Sequence, residues 1–447
     1  MDPHMTEWLN LAIRWAHMIV GIAWIGASFY FVWLENNLNR VNPKTGLAGD
    51  LWAIHGGGIY HLEKYKLAPP EMPEHLHWFK WEAYFTWITG VCLLAVVYYL
   101  NAEIYLIAPD SGIDATTAII IGISSLVAGW FIYDLLCESP LGKSPMLLGL
   151  VLFIALVAAT YGLSQVFSGR GAYIHVGAII GTIMVGNVFR VIMPAQRNLV
   201  KAIEEQREPD PALPAKGLLR SRHNNYLTLP VLFIMISNHF PSTYGSEYNW
   251  AILAGLAVFS ILVRHYFNTR HGSQKYAWTM PVAALGMITL AFVSSPYAKN
   301  ATPAPVTPVV SASSTTNATT TNVTTQVSAK TDNANTATAS EASTSSTTES
   351  VAMANENHSD VVSFESVNQI IQERCTVCHS VAPTHAAFSA APAGVALDTA
   401  DEIKLNVPRI MAQSVQTRVM PLGNMTKMTD DERTLIGTWV EQGAMIQ

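Results

Sequence analysis

The sequence predicts an all-α protein in two parts: a polytopic membrane helix bundle of about eight spans and, beyond a polar tract, a small soluble helical domain. Three observations carry this reading. Half of the 447 residues are hydrophobic and 13 % are charged, although a long polar stretch pulls the average down. Within the first three hundred residues, apolar stretches of about 20 residues, the length that crosses a bilayer, recur along the chain. From about Ala298 to His358 the chain is almost entirely Ala, Ser, Thr, Asn, Pro and Val, after which helical periodicity returns. The implied organisation is a membrane domain over 1–297, a linker over 298–360 and a soluble domain over 361–447.

The candidate spans cover approximately 8–34, 78–100, 115–136, 146–166, 173–193, 225–240, 250–268 and 276–295. The sixth is short, contains Pro230 and ends in Asn238-His239, the pattern of a tilted or broken helix lining a cavity. Loops after spans one, three, five and seven carry Arg40, Lys44, Lys64 and Lys66; Lys143; Arg197, Lys201, Arg207, Lys216, Arg220 and Arg222; and Arg270 and Lys275. The opposite loops carry only Arg170. The positive-inside rule makes the first group cytoplasmic, so both termini and the soluble domain are expected in the periplasm of a bacterium, outside its inner membrane. No Lys or Arg precedes the first apolar run, which is too long for a signal-peptide core, so it reads as a retained helix.

The net charge of −6 is spread along the chain and argues against nucleic-acid binding. The linker composition is that of a disordered tether, whose sixty or so residues would reach some 40 Å. In the soluble domain, Phe364, Val367, Ile370 and Ile371 mark one helix face, and Thr429-Asp430-Asp431-Glu432 is a capping box that opens a last helix bearing Leu435, Ile436 and Trp439.

Between those helices stands Cys375-Thr376-Val377-Cys378-His379. Two thiols at this spacing on one helical turn can add across the vinyl groups of a haem, and the adjacent imidazole then falls beneath the iron. A structural zinc site would need four ligands, and only Cys375, Cys378, His379 and His385 are at hand. Cys92 and Cys137 lie in or at the end of apolar stretches, where a lone thiol behaves as a small hydrophobe. The soluble domain resembles the class I cytochromes c along its length, with Met420-Pro421 similar to that family's Met-Pro. The resemblance implies Met420 as the second axial ligand, with Met425 the alternative and Met428 and Met411 further candidates.

The membrane domain carries a second resemblance. Leu9-Asn10-Leu11-Ala12-Ile13-Arg14-Trp15-Ala16-His17, the run from Gly21 to Phe31, His55-Gly56-Gly57-Gly58-Ile59-Tyr60 and Trp78-Phe79-Lys80-Trp81-Glu82-Ala83-Tyr84 are similar to segments of the bacterial membrane-bound, cytochrome c-type urate oxidases (urate hydroxylases). The likeness extends to the order of eight spans, linker and single-haem cytochrome. It implies a membrane-bound oxidoreductase of purine catabolism that converts urate to 5-hydroxyisourate. Water would supply the hydroxyl, and the electrons would pass through haem c to a soluble or membrane cytochrome or a terminal oxidase.

Ionisable residues within spans are costly and mark functional sites. In the orientation above, Arg14, His17, His175 and His239 fall in the outer half, and Asp134, Glu82, Arg190, Arg264, His265 and His55 at or near the inner side. Arg14 and His17 are three apart and share a helix face. A planar anionic purine suits an Arg fork, and its oxidation needs a proton acceptor, so Arg14, His17 and His175 are the catalytic candidates. Membrane histidines would equally suit a b-type haem between facing helices. Gly56-Gly57-Gly58 reads as a turn needing a flexible backbone, since no nucleophile elbow accompanies it. No Walker or dinucleotide fingerprint occurs. Two other classes stay open on composition and spacing alone: an electron-transfer subunit relaying from a quinol or partner dehydrogenase to an oxidase, and a transporter or sensor whose haem reports redox state.

Overall fold

The computed structural model describes residues 3–108, 111–294, 361–388 and 390–446. The tether expected over 298–360 lies outside them. The chain opens with helix α1 (Pro3–Asn37), 35 residues and roughly 52 Å long at 1.5 Å per residue. Leu11, Trp15, Met18, Ile19 and Ile22 project from α1 unburied, as suits a helix facing lipid. An antiparallel hairpin follows, β1 (Leu47–His55) and β2 (Gly58–Tyr65), with Ile54 opposite Ile59 and Trp52 opposite His61. The all-α reading missed this hairpin. Gly56 and Gly57 make its two-residue turn at φ of 60° and 80°, backbone that favours glycine at both positions.

Helix α2 (Trp81–Leu93) runs into a π-helical turn at Leu94–Tyr99 and is followed by the short α3 (Ala102–Tyr105). Then come α4 (Ala115–Glu138), α5 (Pro145–Ser164) and α6 (Gly169–Gly186). A second π turn at Asn187–Ile192 joins α6 to α7 (Met193–Glu204). Helix α8 (Ala212–Ile236) ends in a 3-10 turn over Ser237–His239, and α9 (Pro241–Tyr244), α10 (Asn249–Thr269) and α11 (Thr279–Val293) complete the bundle. Among the described residues seven helical stretches are long and apolar enough to cross a membrane; six have limits within a few residues of the expected spans, and Gly169–Glu204 runs well past the end expected at 193. The one missing from the eight expected is α8. At 25 residues it has the length, but its first half carries Lys216, Arg220, Arg222, His223, Asn224 and Asn225. Arg220, Asn224 and Asn225 are buried against neighbouring helices, so an element that is polar by composition sits inside the bundle.

The membrane-domain core centres on α6, where Ala172, Tyr173, Val176, Ile180 and Met184 are buried together with Leu106, Leu148, Phe167 and Ile234. Glycines allow close packing there: a Cβ at Gly177 would lie 2.5 Å from Ile234, and one at Gly186 would lie 2.4 Å from the Trp130 ring.

The C-terminal module holds α12 (Phe364–Arg374), α13 (Ala400–Ile410) and α14 (Asp430–Glu441). Val367 and Ile371 of α12, Ile403 of α13, and Ile436 and Trp439 of α14 form its core, with Phe364 packed on Trp439 at 5.8 Å. The capping box read from Thr429 and Glu432 is formed, and a second one joins Thr399 and Glu402. Arg374 of α12 reaches Glu432 of α14 at 2.8 and 3.0 Å, tying the first and last helices together.

Candidate functional site

The Cys375–His379 segment is a tight turn directly after α12, with His379 N donating to Cys375 O at 2.8 Å and Cys378 N at 3.1 Å. His379 Nδ1 lies 2.9 Å from Val395 O. A carbonyl only accepts, so Nδ1 carries the ring proton and Nε2 keeps its lone pair for a metal. Burial pushes the Cys375 thiol up to about 12 and raises that of Cys378. Among the described residues no group of three or more His, Cys, Asp and Glu side chains gathers as a metal cage.

Of the four methionines weighed as the second axial ligand, Met428 is buried in the module core, and Met425 is exposed. Met411 begins a π-helical turn that follows α13. Met420 is held through its backbone: its N donates to Gln413 O at 2.9 Å, and its O accepts from Arg433 Nη1 at 2.7 Å. Arg433 is buried and also donates to Ser414 O, so the last helix fixes the Met420 segment.

This segment rests on the membrane domain. Val419 packs on the membrane-domain core. A Cβ on Gly245, just after α9, would come within 2.8 Å of Val419 and 2.9 Å of Thr417 O. One on Gly423 would lie 3.1 Å from Glu103 O in α3.

Beneath that contact, Tyr98 of the first π turn collects polar groups from three other stretches of chain. Arg170 Nε donates to Tyr98 Oη and to Asn238 Oδ1, both at 3.1 Å, while Asn238 Nδ2 donates to Tyr98 Oη at 3.2 Å. The Arg170 guanidinium stands over the Tyr105 ring at 5.0 Å. Arg14 donates to Asn10 Oδ1 at 3.1 Å and lies within electrostatic range of both Arg170 and Tyr98. π turns concentrate at functional sites because the extra residue re-aims side chains, and here it brings Tyr98 and Tyr99 to successive positions of one turn.

The two candidate histidines share a tautomer and differ in access. His17 Nδ1 lies 2.9 Å from Thr89 Oγ1, whose own proton goes to Phe85 O at 2.6 Å. The hydroxyl must therefore accept from Nδ1, leaving His17 Nε2 as an acceptor. His17 is half-buried against Gly90, where an added Cβ would lie 3.2 Å from its ring. His175 is fully buried: its Nδ1 donates to Gly171 O at 2.8 Å, and its Nε2 accepts from Tyr99 Oη at 3.2 Å. Gly122 makes room for this pair, since a Cβ there would lie 2.7 Å from Nε2 and 2.8 Å from the hydroxyl. The edge of Tyr98 meets His175 at 6.3 Å, so Arg170 and His175 both meet one tyrosine.

The inner group falls into separate networks. Arg220 binds Asp134 at 2.7 Å and Glu138 at 2.8 Å. Asn187 of the second π turn donates to Tyr133 Oη, which lies 2.8 Å from His223 Nδ1. Arg264 donates to Asn225 at 2.8 Å and covers the Phe29 ring at 4.2 Å. Tyr98, Arg170, His223 and Asn225 were not among the candidates read from the sequence. Asn238 was singled out there only as the end of a broken helix.

No curated protein and no solved structure matches the chain. The family described as Urate oxidase N-terminal matches residues 3–295, about two-thirds of the sequence and the whole of the helical bundle just described. The chain therefore belongs to the Urate oxidase N-terminal family.

Proposed function

We propose that the protein oxidises urate to 5-hydroxyisourate at the membrane and delivers the electrons to a haem c carried by its C-terminal module. One observation carries this reading: a Urate oxidase N-terminal domain continues, in the same chain, into a Cys-x-x-Cys-His turn whose His379 keeps Nε2 free. Urate and water give 5-hydroxyisourate, two protons and two electrons, so dioxygen is not a reactant and hydrogen peroxide is not a product.

A haem held there supplies one-electron transfer, first from the substrate site and then onward to a soluble or membrane cytochrome or a terminal oxidase. Cys375 and Cys378 would hold it covalently, and His379 Nε2 and the Met420 thioether would bind its iron. In the membrane domain, His17 Nε2 accepts a proton as water adds to the purine, and Arg14 attracts the anion. His175 keeps the Tyr99 hydroxyl oriented. A b-type haem forms no part of the proposal, and His175 Nε2 is taken by Tyr99.

For the orientation, α8 counts as an eighth crossing whose Arg220, Asn224 and Asn225 are buried against its neighbours, and the Lys- and Arg-rich connections face the cytoplasm. The C-terminal module is then periplasmic in a bacterial inner membrane. Spectra of the purified protein under anaerobic conditions test the reading: urate should reduce the haem and xanthine should not. Silence towards urate together with reduction by a quinol would make the protein a relay subunit instead.

A further inference from the structure

Arg14 and Arg170 lie within electrostatic range of each other, and neither has an acidic partner among the described residues. Arg14 uses Nε and Nη2 on Asn10, four residues back on its own helix. Arg170, second residue of α6, makes its hydrogen bonds through Nε, to Tyr98 and Asn238. Among the described residues no carboxylate lies within ion-pair distance of either guanidinium, although each lies within electrostatic range of the other. Arg220 shows how the same bundle treats a buried arginine elsewhere, with Asp134 and Glu138 both on its Nη2. Like charges within electrostatic range repel, and the positive end of α6 adds to the repulsion. Such a pair is retained where an anion completes it.

The surroundings define the anion. The Tyr98 and Tyr105 rings lie beside Arg170 at 5.8 and 5.0 Å; Tyr98 is buried, Tyr105 is half-buried, and Asn238 offers an amide. We propose that Arg14 and Arg170 together grip the anionic edge of the substrate, a planar monoanionic purine, and that Arg170, held in place by Tyr98 and Asn238, is the residue that selects for its charge. The inference rests on the urate-oxidising reading and adds the place of binding.

The test uses the full-length haem-loaded protein in lipid nanodiscs, with equilibrium dialysis of radiolabelled urate and of uncharged hypoxanthine, and anaerobic haem reduction measured in parallel. Arg170→Gln and Arg14→Gln should each weaken urate binding about 10- to 100-fold, the loss of one charge-assisted hydrogen bond. Hypoxanthine binding should stay within about twofold, and Arg170→Lys should recover part of the loss, because it keeps the charge and gives up the fork. Wild-type protein that binds urate but leaves the haem oxidised would refute the oxidase reading and uphold the site. Should Arg170→Gln fail to insert or to retain haem, Arg14→Gln decides, since among the described residues its side chain hydrogen-bonds Asn10 alone. Unchanged urate affinity in Arg14→Gln, or in a folded Arg170→Gln, overturns the proposal, as does wild-type protein that does not bind urate.

Discussion

His17 Nδ1 lies 2.9 Å from the Thr89 hydroxyl, and because that hydroxyl already donates to Phe85 O, the contact fixes which ring nitrogen carries the proton. Replacing His17 with Gln should slow urate-dependent haem reduction by about 10²- to 10⁴-fold, the usual worth of a positioned base. Thr89→Val removes the acceptor that sets the tautomer and should cost roughly tenfold, while Thr89→Ser keeps it and should behave like the parent. Stopped-flow spectra across a pH series would show the effect. Equal rates in Thr89→Val and wild type would mean that the tautomer is not set by this contact.

The C-terminal module gives a prediction that needs no substrate. Cys375→Ala combined with Cys378→Ala should abolish haem staining after denaturing electrophoresis. Met420→Ala should remove the methionine-to-iron charge-transfer absorption and lower the potential, because a thioether favours ferrous iron. Arg433→Lys should weaken the same absorption while leaving the stain, since Arg433 holds the Met420 carbonyl at 2.7 Å. If Met425→Ala abolishes the absorption and Met420→Ala does not, the ligand is Met425.

The contact between the module and the bundle can be wedged apart. A Cβ on Gly245 already meets Val419 at 2.8 Å and Thr417 O at 2.9 Å, so Gly245→Val should cost about 1–3 kcal/mol of docking. Urate-dependent haem reduction should slow, with covalent haem content unchanged and turnover restored by an external acceptor. Reduction at the wild-type rate would show that this contact is not used for electron delivery.

The spans were legible because an apolar run of fixed length is a one-dimensional signal, and the seven helices TM-long in the structure fall where that signal lies. Helix α8 was ambiguous for a physical reason: its polar residues Arg220, Asn224 and Asn225 are hidden by packing, which only the fold displays. The hairpin left a cue that went unused, two β-compatible runs around Gly56-Gly57. In the site, Arg14 and His17 were visible because charge inside a span is rare. Arg170 was read only as a loop charge, and Tyr98 as one more apolar residue. Their partnership with Asn238 joins positions 98, 170 and 238, which no local pattern connects.

The Arg374–Glu432 pair predicts how the module responds to acid. Burial works to raise the Glu432 pKa, but the Arg374 guanidinium and the Thr429 backbone N–H outweigh it and hold the carboxyl below the usual carboxylate range. A carboxyl with a depressed folded-state pKa contributes stability above its unfolded value, about 4.3, and loses it as pH falls through the folded value. Arg374→Met should therefore destabilise the module by about 1–2 kcal/mol at pH 7 and by progressively less below about pH 4. Thermal melts followed by haem absorption would check this, and a loss independent of pH would assign the effect to packing.

The central claim is that urate electrons leave through the C-terminal haem, and an anaerobic titration of the haem-loaded protein with urate measures it most directly. Two equivalents of haem should be reduced for each urate converted to 5-hydroxyisourate, with no hydrogen peroxide formed. A haem that stays oxidised until air is admitted, with one peroxide appearing per urate, would contradict the account.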